Sequence, residues 1–183
     1  MLMAFDIANT TGWCAGDGSE VPASGVVTLP TPSDKDELGP VFDYWDKWLG
    51  QHLDEWKPER VIYEAPTLPR PTVNPVTGKA VQTTTLATTR RLYSMQAFLE
   101  VQCIRRGIPC FEAYLQTVKK ELTGNGRADK ADMVAMAKRC GLNPKSHDEA
   151  DAFAVWLVAV RYYAKQHQEF WDKRIYSGRG FLT

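Results

Sequence analysis

At 183 residues, 44% of them apolar, and with zero net charge, the chain is long enough for one well-buried domain and short for two. No stretch approaches the roughly 18 to 20 apolar residues of a membrane span, and the opening MLMAFD lacks the basic segment of a signal peptide. Four cysteines without a CxxC pair (Cys14, Cys103, Cys110, Cys140) favour reduced thiols over a disulfide frame or a zinc knot, so a cytoplasmic protein with no membrane partner is expected.

In chain order, LMAFDIA reads as a first strand, and TGWCAGDG and SGVVTLP as two more, separated by Gly, Asp and Ser. After the loop TPSDKDELGP, Phe42, Trp45, Trp48, Leu49, Leu53 and Trp56 recur at helical spacing up to Pro58. Such a tryptophan stripe is more often core than a base-stacking platform. RVIYEAP is a buried strand closed by an acid and a proline. Residues 66–85 are rich in Pro, Thr and Gly, show no period, and are long for a connection, which suggests a functional loop. A helix is expected from about Leu86 to Arg106, then a strand in IPCFEAY, a short helix in LQTVKKELTGNG, and a helix in ADKADMVAMAKRC ending at Gly141. A last long helix follows Asn143-Pro144, and from about residue 169 a basic tail carries Lys173, Arg174 and Arg179. The pattern βββαβαβαα suggests one α/β domain, 1–168, built on a mixed sheet, followed by the tail 169–183.

Charge is unevenly spread. Residues 1–60 hold eleven acids and four bases, a net −7, and residues 61–183 hold eleven acids and 18 bases, a net +7. A basic later portion is compatible with nucleic-acid binding, although an uneven spread of solvated faces explains charge alone equally well.

Three elements each deliver an acid to an apolar boundary: Asp6 ends the first strand, Glu64 the fourth, and Asp148 and Asp151 open the last helix. Turn formation accounts for an aspartate such as Asp6, and the helix dipole for Asp148. Ser146 and Glu149 have capping-box spacing, which gives Glu149 a structural task. Asp151 lies deeper, where the helix turns apolar, and an acid there needs a partner. Four oxygen donors without a His/Cys set suit a hard cation such as Mg²⁺ or Mn²⁺, and two such ions can clamp a phosphodiester. His147 is a secondary candidate ligand, with capping or solvation as its plainer role.

The chain resembles the RuvC-type Holliday junction resolvases, a branch of the RNase H-like nucleases, over roughly residues 3–165. Four stretches carry the likeness: FDIANTTGW, VIYEAP, TVKKELTGNGRADK (the family's VKK…TGxGxAxK) and DEADA (its DxxDA). The resemblance implies a phage-type member with an RNase H-like fold, a five-stranded mixed sheet flanked by helices. It also implies Asp6, Glu64, Asp148 and Asp151 as catalytic acids holding two Mg²⁺ (or Mn²⁺) ions, four-way or branched DNA as substrate, and a homodimer joined by the helix around Met95, Phe98, Leu99 and Val101. Gly124 and Gly126, flanked by Lys119, Lys120, Arg127 and Lys130, are expected at the DNA backbone, as are Arg70 and Lys79 of the long loop. No residue between Glu64 and Tyr93 is aromatic, so the loop offers no aromatic wedge for a junction. A broader flap nuclease of the same fold is the alternative. An actin-like nucleotide-binding module is a more distant one, because 183 residues leave no room for its second half.

Overall fold

The computed structural model describes residues 1–32, 37–66, 72–73, 77–78, 80–81 and 85–177. Three strands come first: β1 (Leu2–Asp6), β2 (Thr10–Gly16) and β3 (Ala23–Thr28). Helix α1 (Gly39–Trp56) leads to β4 (Arg60–Glu64). A two-residue ribbon follows, β5 (Thr72–Val73) with β6 (Ala80–Val81), then α2 (Leu86–Arg105) and β7 (Cys110–Ala113). Three helices, α3 (Leu115–Thr123), α4 (Lys130–Arg139) and α5 (His147–Tyr163), precede a 3-10 turn at Lys165–His167 and α6 (Gln168–Tyr176).

The main sheet has the order β3-β2-β1-β4-β7. β1 runs antiparallel to β2 and parallel to β4, and β4 is parallel to β7, so the expected five-stranded mixed sheet is present. Side-chain parity divides its two faces. Met3, Phe5, Val61 and Tyr63 point into a core with α1 and α2. Leu2, Ala4 and Ile62 point the other way, into a core with α3, α4, α5 and α6. α5 lies across the second face and is apolar all round from Ala152 to Val160, as a helix enclosed on every side must be.

Two expectations are corrected here. Residues 169–176 are no tail: α6 buries Trp171 and Ile175, and Trp171 packs edge-on against Phe153 and Trp156 of α5. Arg174 stacks over Phe170, 3.9 Å from its ring centre. Met95 and Leu99 are fully buried against α1, and Phe98 stacks on Phe42 at 5.6 Å, so these three serve the chain's own core. The apolar side chains that α2 leaves exposed are Leu86, Tyr93, Val101 and Ile104.

Candidate active site

Parity places the first two acids. Asp6 follows Leu2 and Ala4, and Glu64 follows Ile62, on the sheet face that α5 covers. The register pairs Phe5 with Tyr63 across parallel β1 and β4, so Asp6 and Glu64 end neighbouring strands side by side. The turn after Asp6 is held by Thr11, fully buried, whose hydroxyl donates to the Ala8 carbonyl (2.8 Å) and accepts from the Ala8 N–H (3.2 Å).

α5 brings the other two. Its N-cap Ser146 accepts from the Glu149 N–H at 3.2 Å. The reciprocal half of the expected capping box is replaced: the Glu149 carboxylate takes the Lys145 N–H (2.7 Å) and the Ser24 hydroxyl (2.5 Å), tying α5 to β3. The helix can approach the sheet because β2 carries Gly12 opposite Asp6. A Cβ at Gly12 would stand 1.9 Å from the Asp148 carbonyl oxygen, so any side chain there would push the first turn of α5 away. Gly12 was not singled out in the sequence; a glycine inside a strand pattern is the signal that marks such an approach.

Asp6, Glu64 and Asp151 line one cavity of about 240 Å³ with Leu115, Lys119, Lys130 and Met133. Asp148 stands at its edge, near enough to act on both other aspartates. Burial pushes the Asp6 carboxyl well above its ordinary range, and Glu64, Asp151 and Asp148 push it further. Glu64 is pushed up to about 7, by burial first and then by Asp151. Asp151 is also raised, chiefly by burial and in addition by Asp148, with Lys130, Lys119 and His147 opposing. Burial is the largest cause of each shift, and the neighbouring acids add to it with too little positive charge nearby to offset them.

No three His, Cys, Asp or Glu side chains among the described residues stand close enough, as placed, to share a metal ion. The chemistry of the set still fits a hard divalent cation: the donors are carboxylate oxygens, no thiol or imidazole lines the cavity, and the buried charge is only partly offset by two lysines. Volume does not single this cavity out. A hollow of about 510 Å³ between α3, α5 and α6 is larger, but its Arg161 is already paired with Glu121 (2.5 Å) and Asp172 (2.9 Å).

The basic set divides. Lys119 and Lys130 face the acids, and the Lys119 ammonium donates to the Ala128 carbonyl at 2.7 Å. Lys120 and Arg127 are exposed. Gly124 caps α3 in the left-handed conformation (φ 73°). The glycine loop forms no open cradle of N–H groups: those of Gly124, Asn125, Arg127 and Ala128 bond within it, to Lys120, Thr123 and Asn125, which leaves that of Gly126. Arg70 and Lys79 lie outside the described residues.

A mixed five-stranded sheet with acids on two adjacent strand ends and a third element crossing them defines the RNase H-like fold, here with a carboxylate-lined cleft. Residues 79–159 match the family model described as crossover junction endodeoxyribonuclease RuvC. The RuvC of Corynebacterium jeikeium is 31% identical over 162 residues, covering 82% of this chain and 88% of that protein. That of Streptomyces avermitilis is 34% identical over 146 residues, covering 78% and 74%. The chain belongs to the RuvC family. Thermus thermophilus RuvC in complex with a Holliday junction substrate shares the fold at a TM-score of 0.69 and 18% identity, covering 91% of this chain and 96% of that one. These relatives are bacterial, and the expected phage-type affiliation finds no support in them.

Proposed function

We infer that the protein is a crossover junction endodeoxyribonuclease that resolves four-way DNA junctions by hydrolysing phosphodiester bonds. The observation that carries this reading is the convergence of Asp6, Glu64 and Asp151 in one cavity of a RuvC-family chain. The acids Asp6, Glu64, Asp148 and Asp151 are proposed to hold divalent cations, Mg²⁺ or Mn²⁺, two per site. Such ions supply an activated water and stabilise the leaving oxygen. The chain's own part is to hold oxygen donors at fixed strand and helix ends, and to set Lys119 and Lys130 where the phosphate charge arrives. Lys120 and Arg127 are proposed to contact the DNA backbone, which positions the substrate without reading sequence.

A two-fold homodimer suits a two-fold junction, because it presents two identical sites. The exposed side chains Tyr93, Val101 and Ile104 of α2 are the proposed contact, in place of the buried Met95 and Leu99. Among the described residues no helix is long and apolar enough to cross a membrane, and the proposed setting is the cytoplasm.

The test is an immobile synthetic four-way junction, a flapped duplex and a linear duplex, each incubated with Mg²⁺, Mn²⁺ or chelator. The expected result is paired nicks in the junction, strongest with a divalent ion, and little cutting of the linear duplex. Equal cutting of flap and junction would move the protein to the broader branched-DNA class. No cutting of any substrate with either ion would overturn the reading.

A further inference from the structure

Tyr114 and Leu115 are neighbours in sequence but face different recesses. Leu115 lines the acid cavity, and Tyr114 lines a groove of about 250 Å³ beside it. The same elements wall both. Along β4, Glu64 belongs to the cavity and Ile62 to the groove; along α5, Asp151 and Val158 divide in the same way. Two strand residues span roughly 7 Å, the reach of about two stacked nucleotides. The groove therefore borders the acid cleft along the elements the two recesses share.

Its lining suits a flat ring. Tyr114 is 73% exposed and Tyr162 57% exposed, so two aromatic rings of one groove are open to an incoming ring. Behind them, Phe111 stacks on Tyr163 at 5.3 Å, and Arg60 lies 4.7 Å from the Tyr163 ring centre, so that pair is fixed in place. Tyr114 is itself held by its backbone: it is the N-cap of α3, and its carbonyl accepts the Thr117 (2.8 Å) and Val118 (3.0 Å) N–H groups. The rigid backbone leaves the ring standing free at the carboxyl end of β7, one position past Ala113, which pairs with Glu64.

We propose that this groove, capped by Tyr114, is a stacking site for an unpaired nucleobase of the strand being cut. Nucleic acid is favoured over a protein strand for two reasons. The groove shares α3 with the acid cleft, and that helix carries Lys119 and Lys120. The free edge offered by β7 is only four residues long, too short to template a stable added strand. Stacking on an aromatic ring is indifferent to base identity, so the site would hold the strand without imposing a sequence. It also supplies an aromatic contact that residues 65–85 lack entirely. The proposal rests on the nuclease reading above.

The test places 2-aminopurine at each position within three nucleotides of the cut in a four-way junction, and follows its emission on binding in chelator. The wild type should quench one position. Tyr114→Ala should lose that quenching and bind the junction roughly tenfold more weakly, whereas Tyr114→Phe should keep both. Thermal melting of Tyr114→Ala should match the wild type, because only an exposed ring is removed. Wild-type quenching and affinity in Tyr114→Ala would overturn the site, as would a Phe variant as defective as Ala, since the contact would then be the hydroxyl. If the wild type neither binds nor cuts junctions, the parent reading falls and this one with it. If it does both while Tyr114 is silent, only the stacking site falls.

Discussion

Glu149 and Asp151 stand two residues apart on α5, both carboxylates, in opposite circumstances. Glu149 is 4% exposed, yet its oxygens take the Ser24 hydroxyl and the Lys145 N–H, so its burial is compensated. Asp151 has no such donor among the described residues and faces Asp6, Glu64 and Asp148. A buried polar group with partners belongs to the architecture; like charges gathered without enough partners await something positive. The contrast separates structure from chemistry on a single helix turn.

The largest effect should come from breaking the cleft side of this contrast. Asp6→Asn, Glu64→Gln and Asp151→Asn should each cut junction cleavage by roughly a thousandfold or more, because the metal contribution is worth several kcal/mol and each 1.36 kcal/mol is tenfold. Junction binding should remain, since phosphate contacts lie elsewhere. Glu149→Gln should do the reverse: cleavage within about threefold of wild type, but a stability loss of roughly 1 to 2 kcal/mol from one lost acceptor, read by denaturant melts. If Glu149→Gln proved as inactive as Asp151→Asn, the two residues would not divide as described.

Next in size is a pH effect on the metal-free protein. The Glu64 carboxyl is pushed up from an ordinary 4.5 to about 7, by burial and then by Asp151. The folded state thus holds this proton more tightly than the unfolded chain does. Its contribution is most favourable below pH 4.5 and is lost as pH rises toward 7, the opposite of an ion-paired acid. At 1.36 kcal/mol per unit the loss is at most about 3.4 kcal/mol. Calorimetry without divalent ions should show the wild type losing stability across this window relative to Glu64→Gln. Saturating Mg²⁺ should shrink the difference. A wild type that gains stability over the same window relative to the variant would mean that the cleft acids are already compensated.

Much of this was legible in the sequence, and what was not has a physical reason. The α1 stripe through Trp45, Leu49 and Leu53, and the glycine stops at Gly107 and Gly141, both with positive φ, are local signals and gave the elements and their order. Asp6, Glu64 and Asp151 were readable because each sits where an apolar run meets an acid. Contacts between distant segments leave no local trace. Trp171 and Ile175 sit among basic residues, and only packing against α5 makes them core. Met95 and Leu99 look like an interface until α1 is laid over them. Gly12 gains its meaning from Asp148, 136 positions away, and Glu149 from Ser24.

The four cations read as one DNA-binding set offer the smallest effect and the sharpest division. Lys119 and Lys130 are turned toward the acids, where Lys119 lowers the proton affinity of Glu64 and Lys130 that of Asp6. Lys120 and Arg127 line no part of the acid cavity; like Lys130 they are exposed, but they face away from the acids. A cation that meets a phosphate releases a counterion on binding, about 0.9 in the slope of log affinity against log salt. Lys120→Ala and Arg127→Ala should therefore each lower that slope by roughly one unit, uniformly across junction sequences, with cleavage at saturation little changed. Lys119→Ala should differ in kind. Removing its charge leaves Glu64 holding its proton to higher pH, so the cleavage profile should move to higher pH, with less effect on the slope. Junction binding measured between 50 and 200 mM salt, beside a pH profile of each variant, separates the two behaviours. If all three variants changed the slope alike and Lys119→Ala left the profile in place, Lys119 would be a backbone contact like the other two.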